Sequence, residues 1–416
     1  FATLASAQEQ PEAPAVPTEA PAVHAEAPAT PPEPPARLIP APPEGANYVA
    51  TPADPPDAEA AAEEDNSFEV FVSGYVRARY QAVLEDPDQT DFTGRNDGFS
   101  LDNARLIVEA TRGDLTGYIS IDGAVDRRDR GNTATGRVDV GLKDAYVGYA
   151  PLDFVAVKVG QFKPPFDAEE QRSTRSMLFI DRAVESRGVK GVEGYNLDGL
   201  SLDREVGLIV YGEPALLGDL GIGYYLSITN GTGANRPVND NDRLAYTGRL
   251  EVRYGEMVQL GFGANLNQAT SGENPDLIDE DFLSYAGDLN VNLDLGIVGV
   301  MLQAQFMQRS TSFPDVPAEP EQVARGYHFA LGVALPLDLT VAYRYAWLDP
   351  TVDFEAEDAA LESTLDNDAV THHTIGLTYE PEAVPVKLQF NYTLAVEEEA
   401  RAIDNDRVDA LVQVAF

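Results

Sequence analysis

The chain has 416 residues and a formal net charge of −40, from 69 acidic against 29 basic side chains. That balance excludes a nucleic-acid partner, whose binders carry basic faces. No stretch approaches the ~20 apolar residues of a membrane-spanning helix, and the absence of cysteine excludes disulfides and thiolate metal sites while fitting any compartment.

In chain order, residues 1–7 (F-A-T-L-A-S-A) read as the end of a signal peptide, with Ala5 and Ala7 in the small-residue cleavage pattern and Gln8 as the mature start. Residues 8–66 hold 15 of the 29 prolines, 12 acidic residues and one basic residue, Arg37. A segment so poor in apolar surface cannot offset its ordering entropy and is expected to be disordered, with prolines favouring extended polyproline geometry. It reads either as a periplasmic spacer reaching the cell wall or a periplasmic protein, or as a tail with no specific partner. Leu38, Ile39, Tyr48 and Val49 are its candidate contact points.

From Phe68 the texture changes to segments of about ten residues that alternate apolar with polar or small, the period of a strand. Sixteen are expected within 67–416: 68–83, 99–112, 115–126, 137–150, 154–162, 202–212, 219–229, 243–254, 257–267, 283–293, 296–308, 324–335, 338–348, 369–379, 384–395 and 405–416. Seven short turns, such as Gly113-Asp114 and Gly255-Glu256, interleave strictly with eight long loops at 84–98, 127–136, 163–201, 230–242, 268–282, 309–323, 349–368 and 396–404. Strict interleaving is the pattern of an even-stranded antiparallel transmembrane β-barrel with both termini at the periplasmic end.

The alternation also assigns faces. Val70, Val72, Val76, Ala78 and Tyr80 oppose Ser73, Arg77, Arg79 and Gln81. Tyr246, Leu250 and Val252 oppose Thr247, Arg249, Glu251 and Arg253, and Leu388 and Phe390 oppose Lys387, Gln389 and Asn391. An Arg or Lys facing lipid near the bilayer midplane costs about 2–4 kcal/mol, so the charged faces are expected to line the lumen. Tyr80, Tyr149, Phe154, Tyr254, Trp347 and Tyr379 sit near strand ends, where interfacial girdles form. The fourth segment changes parity between Leu142 and Ala145. A bulge near Lys143-Asp144 accounts for this, and a strand lying wholly outside the bilayer is the alternative. The last stretch, Arg407 to Phe416, alternates to a terminal aromatic and reads as the closing, assembly-directing strand; a soluble edge strand is the alternative.

The longest loop, 163–201, begins G-Q-F-K-P-P-F at Gly160 and continues through Arg172-Ser-Thr-Arg175 to Asp181-Arg182. This run, with Asp144-Ala-Tyr-Val147 before it and the terminal Phe416, resembles the phosphate-selective porin O and P family over about residues 68–416. The Pro-rich region is not part of that pattern. The resemblance implies a homotrimer of sixteen-stranded barrels whose third loop folds inward to constrict the pore. Basic side chains in a constriction attract anions through a low-dielectric slot; arginine can hold phosphate bidentately and lysine acts as a point charge. The candidates are Lys163, Arg172, Arg175, Arg182, Arg187 and Lys190 on the loop. Arg77, Arg79, Arg105, Lys158, Arg243, Arg249, Arg253, Arg344 and Arg407 are expected on the inner wall. The competing reading pairs these cations with Glu109, Asp122, Glu169, Glu170, Asp181, Glu185 and Glu251, so that they only brace the loop.

The loop 349–368 holds eight acidic residues and no basic one, and 268–282 holds five and none. These read as a solvated repulsive surface, as sites for divalent cations that bridge lipopolysaccharide, or as a screen of the entrance against anions; calcium-loop spacing is absent. His372 and His373 point to opposite faces and His328 is expected alone in the lumen. No catalytic, phosphate-loop or zinc motif appears, so neither enzyme activity nor a cofactor is expected. The expectation is an outer-membrane porin passing small hydrophilic solutes with a preference for anions such as phosphate. A general porin serving mainly as an envelope tether through 8–66 is the alternative.

Overall fold

The computed structural model describes residues 67–84, 97–125, 139–152, 154–236, 238–273, 276–316, 320–352, 368–398 and 402–416. The signal-peptide and spacer expectations for 1–66 and most of the acidic loop 349–368 lie outside these residues.

The strands in chain order are β1 (Glu69–Leu84), β2 (Gly98–Arg112), β3 (Leu115–Val125), β4 (Asp139–Leu152), β5 (Val155–Phe162), β6 (Gly188–Val189), β7 (Leu197–Asp198), β8 (Glu205–Gly212), β9 (Ala215–Leu217) and β10 (Leu220–Thr229). They continue as β11 (Ala245–Tyr254), β12 (Val258–Glu273), β13 (Asp276–Asp294), β14 (Gly299–Ser312), β15 (Gln322–Leu335), β16 (Leu339–Asp349), β17 (Val370–Tyr379), β18 (Val386–Glu397) and β19 (Asp406–Ala415). β6 and β7 form a small hairpin inside the long loop, and β9 is a short piece on the edge of β10. The other sixteen pair antiparallel with their neighbours, and β1 pairs with both β2 and β19 to close the ring. Each of the sixteen expected segments falls on one of these staves.

Face assignment follows the alternation. Arg77, Arg79 and Gln81 are buried inward while Val76 and Tyr80 face out, and Arg249 and Glu251 are inward opposite the exposed Leu250 and Val252. Tyr80, Tyr149, Phe154, Tyr254 and Tyr379 are exposed on the outer surface, and Trp347 packs against Tyr327 there, ring centroids 5.1 Å apart. The bulge in β4 is present. Ser120 pairs with Asp144 but Ile121 pairs with Leu142, leaving Lys143 as the extra residue.

One boundary differs clearly. The expected loop 268–282 is mostly strand, because β12 and β13 remain paired from Gln268↔Asp281 to Glu273↔Asp276. Cross-strand polar contacts hold this extension, with Thr270 donating to Asp279 at 2.7 Å and Ser271 to Glu280 at 2.5 Å. A polar ribbon shows no apolar alternation, which is why its sequence reads as loop.

At the closing seam Phe416 and Gly74 exchange two backbone hydrogen bonds of 2.9 and 3.0 Å. A Cβ on Gly74 would lie 2.3 Å from the Arg105 carbonyl oxygen and 2.7 Å from the Phe416 ring. Gly74→Val is therefore expected to impair closure, measured as a lower fraction of the heat-modifiable folded band; an unchanged fraction would show that the seam tolerates the side chain.

Candidate functional site

The loop after β5 leaves the wall at the G-Q-F-K run, and each residue there has a distinct task. Gly160 has φ +137, and a Cβ would come within 2.1 Å of the Ala145 carbonyl oxygen; only glycine permits this approach. Gln161 donates to the Lys143 carbonyl of the β4 bulge at 2.7 Å and to Asn235 at 3.1 Å. Phe162 packs with Ala156, Ile209, Tyr211 and Tyr225 on the inner wall. Lys163 donates to the Glu170 carbonyl at 2.6 Å, and Asp167 caps the short helix α1 (Ala168–Gln171) by accepting from the Glu170 amide at 2.8 Å.

From there the loop lies inside the barrel. Phe166, Ala183, Val184, Val189 and Leu200 form a buried cluster with the inward-facing Ala286, Met307, Ala346, Leu348 and Val370. Burying such side chains contributes about 1.5–3 kcal/mol for each large one. Inner-wall glycines make room: a Cβ on Gly263 would meet the Phe166 carbonyl at 2.0 Å, and one on Gly326 would meet Glu185 at 2.3 Å.

Polar contacts fasten the loop to the wall from β11 round to β1. Arg249, held by Asp288 at 2.7 and 2.8 Å, donates to the Phe166 carbonyl at 3.0 Å. Arg172 donates to Asn290 at 2.7 Å, and Arg344 to Glu169 at 3.3 Å and to the Asp181 carbonyl at 3.0 Å. Lys387 and Gln389 both donate to the Met177 carbonyl, and Arg77 to that of Ile180 at 3.0 Å. Asp181 receives Arg79 at 2.7 and 3.1 Å and Arg407 at 2.9 Å. Burial pushes the Asp181 carboxyl up, but Arg79, Arg187 and Arg407 overcome this and hold it well below the usual carboxylate range.

His328 does not stand alone as the sequence suggested. It bonds Glu185, on helix α2 (Val184–Arg187), at 2.5 Å, with Glu169 3.8 Å away. These three groups could together approach one ion, but Arg344 already neutralises Glu169, and the trio acts as a further brace. Arg187 is occupied by Glu193 through two 2.7 Å bonds. A cavity of about 10 Å³, room for one water, lies between Asp181, Arg187, Arg344, Arg407 and Asp409.

Among the described residues the loop makes no comparable fastening to the wall of β2–β5, and a different set of charges faces that side. Arg105 pairs with Asp122 at 3.1 Å, and Arg204 with Asp144 at 3.0 and 3.1 Å. Arg182 pairs with Glu170 at 2.9 Å, with Lys163 3.5 Å from the same carboxylate. Lys143, at the bulge, lies in the field of Arg204 and Arg105, opposed by Asp203 and Asp122, and makes no ion pair among the described residues. Arg105, Lys143, Arg204, Lys163 and Arg182 thus form a strip in which the buried Asp122, the partly buried Asp144 and Glu170, and the exposed Asp203 leave one positive charge in surplus. Burial pushes the Lys163 ammonium down to about 8, with Glu170 opposing the shift.

The remaining candidates are scattered. Arg175 is half-buried, its guanidinium without an ion-pair partner among the described residues, while its carbonyl accepts from Lys387 and Gln413. Lys158 sits between the Tyr146 and Tyr211 rings, 4.9 and 4.7 Å from their centroids. Arg253 pairs with Glu213. Lys190 is partly buried at the start of a 3₁₀ turn, its amide donating to Glu193. Arg243 precedes β11 and is exposed in the connecting loop, not on the inner wall. Arg204 was not singled out in the sequence, since it lies just before β8; its pairing with Asp144 of the D-A-Y-V motif is what marks it.

Residues 75–217 match the family model "Phosphate-selective porin O and P", which bears out the resemblance carried by the G-Q-F-K and D-A-Y-V motifs. Among solved structures, the chain is similar to the outer membrane channel DcaP of Acinetobacter baumannii (17% identity, 85% of this chain and 98% of that one, TM-score 0.55). It is also similar to the anion-selective porin from Comamonas acidovorans (14% identity, 84% and 100%, TM-score 0.52). The third is OmpT, an outer membrane protein of Vibrio cholerae in trimer form (9% identity, 84% and 100%, TM-score 0.54). At these identities the likeness shows the fold, a sixteen-stranded porin barrel. Among curated proteins, none matches this sequence.

Proposed function

We propose, from the premise that residues 75–217 carry the phosphate-selective porin O and P pattern, that the chain is an outer-membrane porin passing small hydrophilic solutes with a preference for anions. The observation that carries this reading is the asymmetry of the lumen. On one side the loop is fastened by neutralised pairs; on the other, the strip from Arg105 to Arg182 keeps its surplus of positive charge. A solute crossing between loop and β2–β5 would meet that strip, whose field the surrounding low-dielectric protein focuses. The Glu169, Glu185 and His328 cluster is taken up in bracing the loop, and the mechanism in this reading is passive diffusion. Assembly as a homotrimer is supported by the trimeric form of the Vibrio cholerae relative of the fold.

The test is uptake by liposomes carrying the full chain: small anions should enter faster than cations of equal size, and equal rates would leave a general porin. Inorganic phosphate added to the same vesicles should slow chloride entry if the strip holds phosphate; no slowing would limit the preference to charge sign.

A pH dependence follows from Lys163. Its ammonium titrates near 8 because burial disfavours the charged form, so raising pH from 7 to 9 removes positive charge from the strip. Anion preference should fall over that interval, and Lys163→Arg, whose charge persists, should abolish the fall. A pH-independent preference in the unaltered chain would remove Lys163 from the pathway.

A further inference from the structure

The outward rows of the staves are largely apolar, and one basic side chain interrupts them three residues into its strand. Arg325 shares its side of β15 with Tyr327 and Phe329, opposite the inward Gly326, His328 and Ala330. Among the described strand residues, the other basic side chain on an outward row is Arg112, the last residue of β2. The Arg325 Nε donates to Gln308 Oε1 at 3.1 Å; its two terminal amino groups make no hydrogen bond or ion pair among the described residues. Asp349 is its register partner on β16 but lies beyond ion-pair distance and accepts from the Thr351 amide instead.

Beside Arg325 lies an open groove of about 800 Å³ on the outer surface of β11–β15. Its middle row is Leu250, Phe262, Gly287, Phe306 and Tyr327, register partners across five strands. Gly287 makes the dip: a Cβ there would meet nothing within 4 Å. The groove is apolar apart from its Arg325 end.

A lipid-facing arginine is costly unless it reaches polar surroundings. Arg325 stands three residues from the start of β15, next to the ring cluster of Tyr327, Tyr345 and Trp347, the composition of a membrane interface. Two free amino groups in a planar fork call for an oxyanion offering two acceptors, for which phosphate is the best geometric match. An apolar groove ending in such a fork fits an amphiphile with hydrocarbon chains and a phosphate head. A second copy of this chain, which could offer an outward carboxylate such as the exposed Asp281 of β13, is the competing occupant that the test below separates.

We infer that this groove binds a phosphate-bearing lipid of the leaflet at the long-loop end, with its chains along Leu250, Phe262, Gly287 and Phe306 and its phosphate on Arg325. The inference rests on the membrane-barrel reading above.

The test is native mass spectrometry of the full chain with dioleoyl phosphatidic acid and, separately, dioleoylglycerol, which differ only by the phosphate. The unaltered chain should retain phosphatidic acid in preference. Arg325→Gln should weaken that retention roughly ten-fold, the scale of one charge-assisted bond, with partial recovery in Arg325→Lys. Gly287→Leu, which fills open space, should weaken retention of both lipids and carries the test alone if Arg325→Gln fails to fold, as judged by heat-modifiable migration. Equal retention of the two lipids, or of phosphatidic acid by both chains, overturns the proposal. A change in oligomeric state with lipid retention unaltered also overturns it, and assigns the groove to contact between copies. Failure of the unaltered chain to insert into vesicles would instead overturn the barrel reading itself.

Discussion

Replacing Asp181 with Ala is expected to free the inner loop and raise single-channel conductance. Asp181 is the point where Arg79 and Arg407 of the wall converge on the loop, and its removal leaves both guanidinia without that partner. Both guanidinia keep Asp409, so the cost stays below the about 3–5 kcal/mol of breaking an isolated buried pair. The barrel itself should persist, since the staves are closed by backbone pairing from β1 to β19. The expected readout is therefore larger and noisier unit current with an unchanged folded fraction. Current identical to the unaltered channel would show that the apolar cluster around Phe166 and Val184 holds the loop unaided. The pH sense is fixed by the depressed carboxyl: its contribution is complete above the ordinary aspartate value of about 3.9 and is lost only as pH falls through the lower folded value. The brace should accordingly survive mild acid.

Replacing Lys143 with Gln should reduce anion preference without altering conductance much. One unit charge 4 Å away attracts a monovalent anion and repels a monovalent cation by about 1 kcal/mol each even in bulk water, so the anion-to-cation permeability ratio should fall by at least roughly five-fold. Lys143 has no ion-pair partner among the described residues, so removing it strands no carboxylate. Asp144→Asn provides the opposite sign, because it releases Arg204 from its bidentate pair and should raise the ratio. If both variants leave the ratio unmoved, the solute path does not run along β2–β5.

Much of the barrel is legible in the residues. Period-two alternation at Val76–Gln81 or Leu250–Arg253 states both the strand and its faces, because lipid and water impose opposite demands on successive side chains. The bulge at Lys143 is equally readable as a change of parity. The polar ribbon of 268–282 is not, since both of its faces are wetted and no apolar period marks it. The site is legible in composition but not in pairing. Arg79, Arg249 and Arg344 are recognisable as inward cations, yet whether each is free or neutralised depends on partners 39 to 330 residues away in sequence. Likewise, Gly263 and Gly326 read as weak points of strands until the loop that fills the space above them is in place.

The most direct test of the account is the zero-current potential of the purified channel in a planar bilayer under a potassium chloride gradient. The strip of surplus positive charge predicts a potential displaced toward the chloride equilibrium value, with the displacement reduced in Lys143→Gln. A potential at zero or toward the potassium value would contradict the anion-preferring constriction.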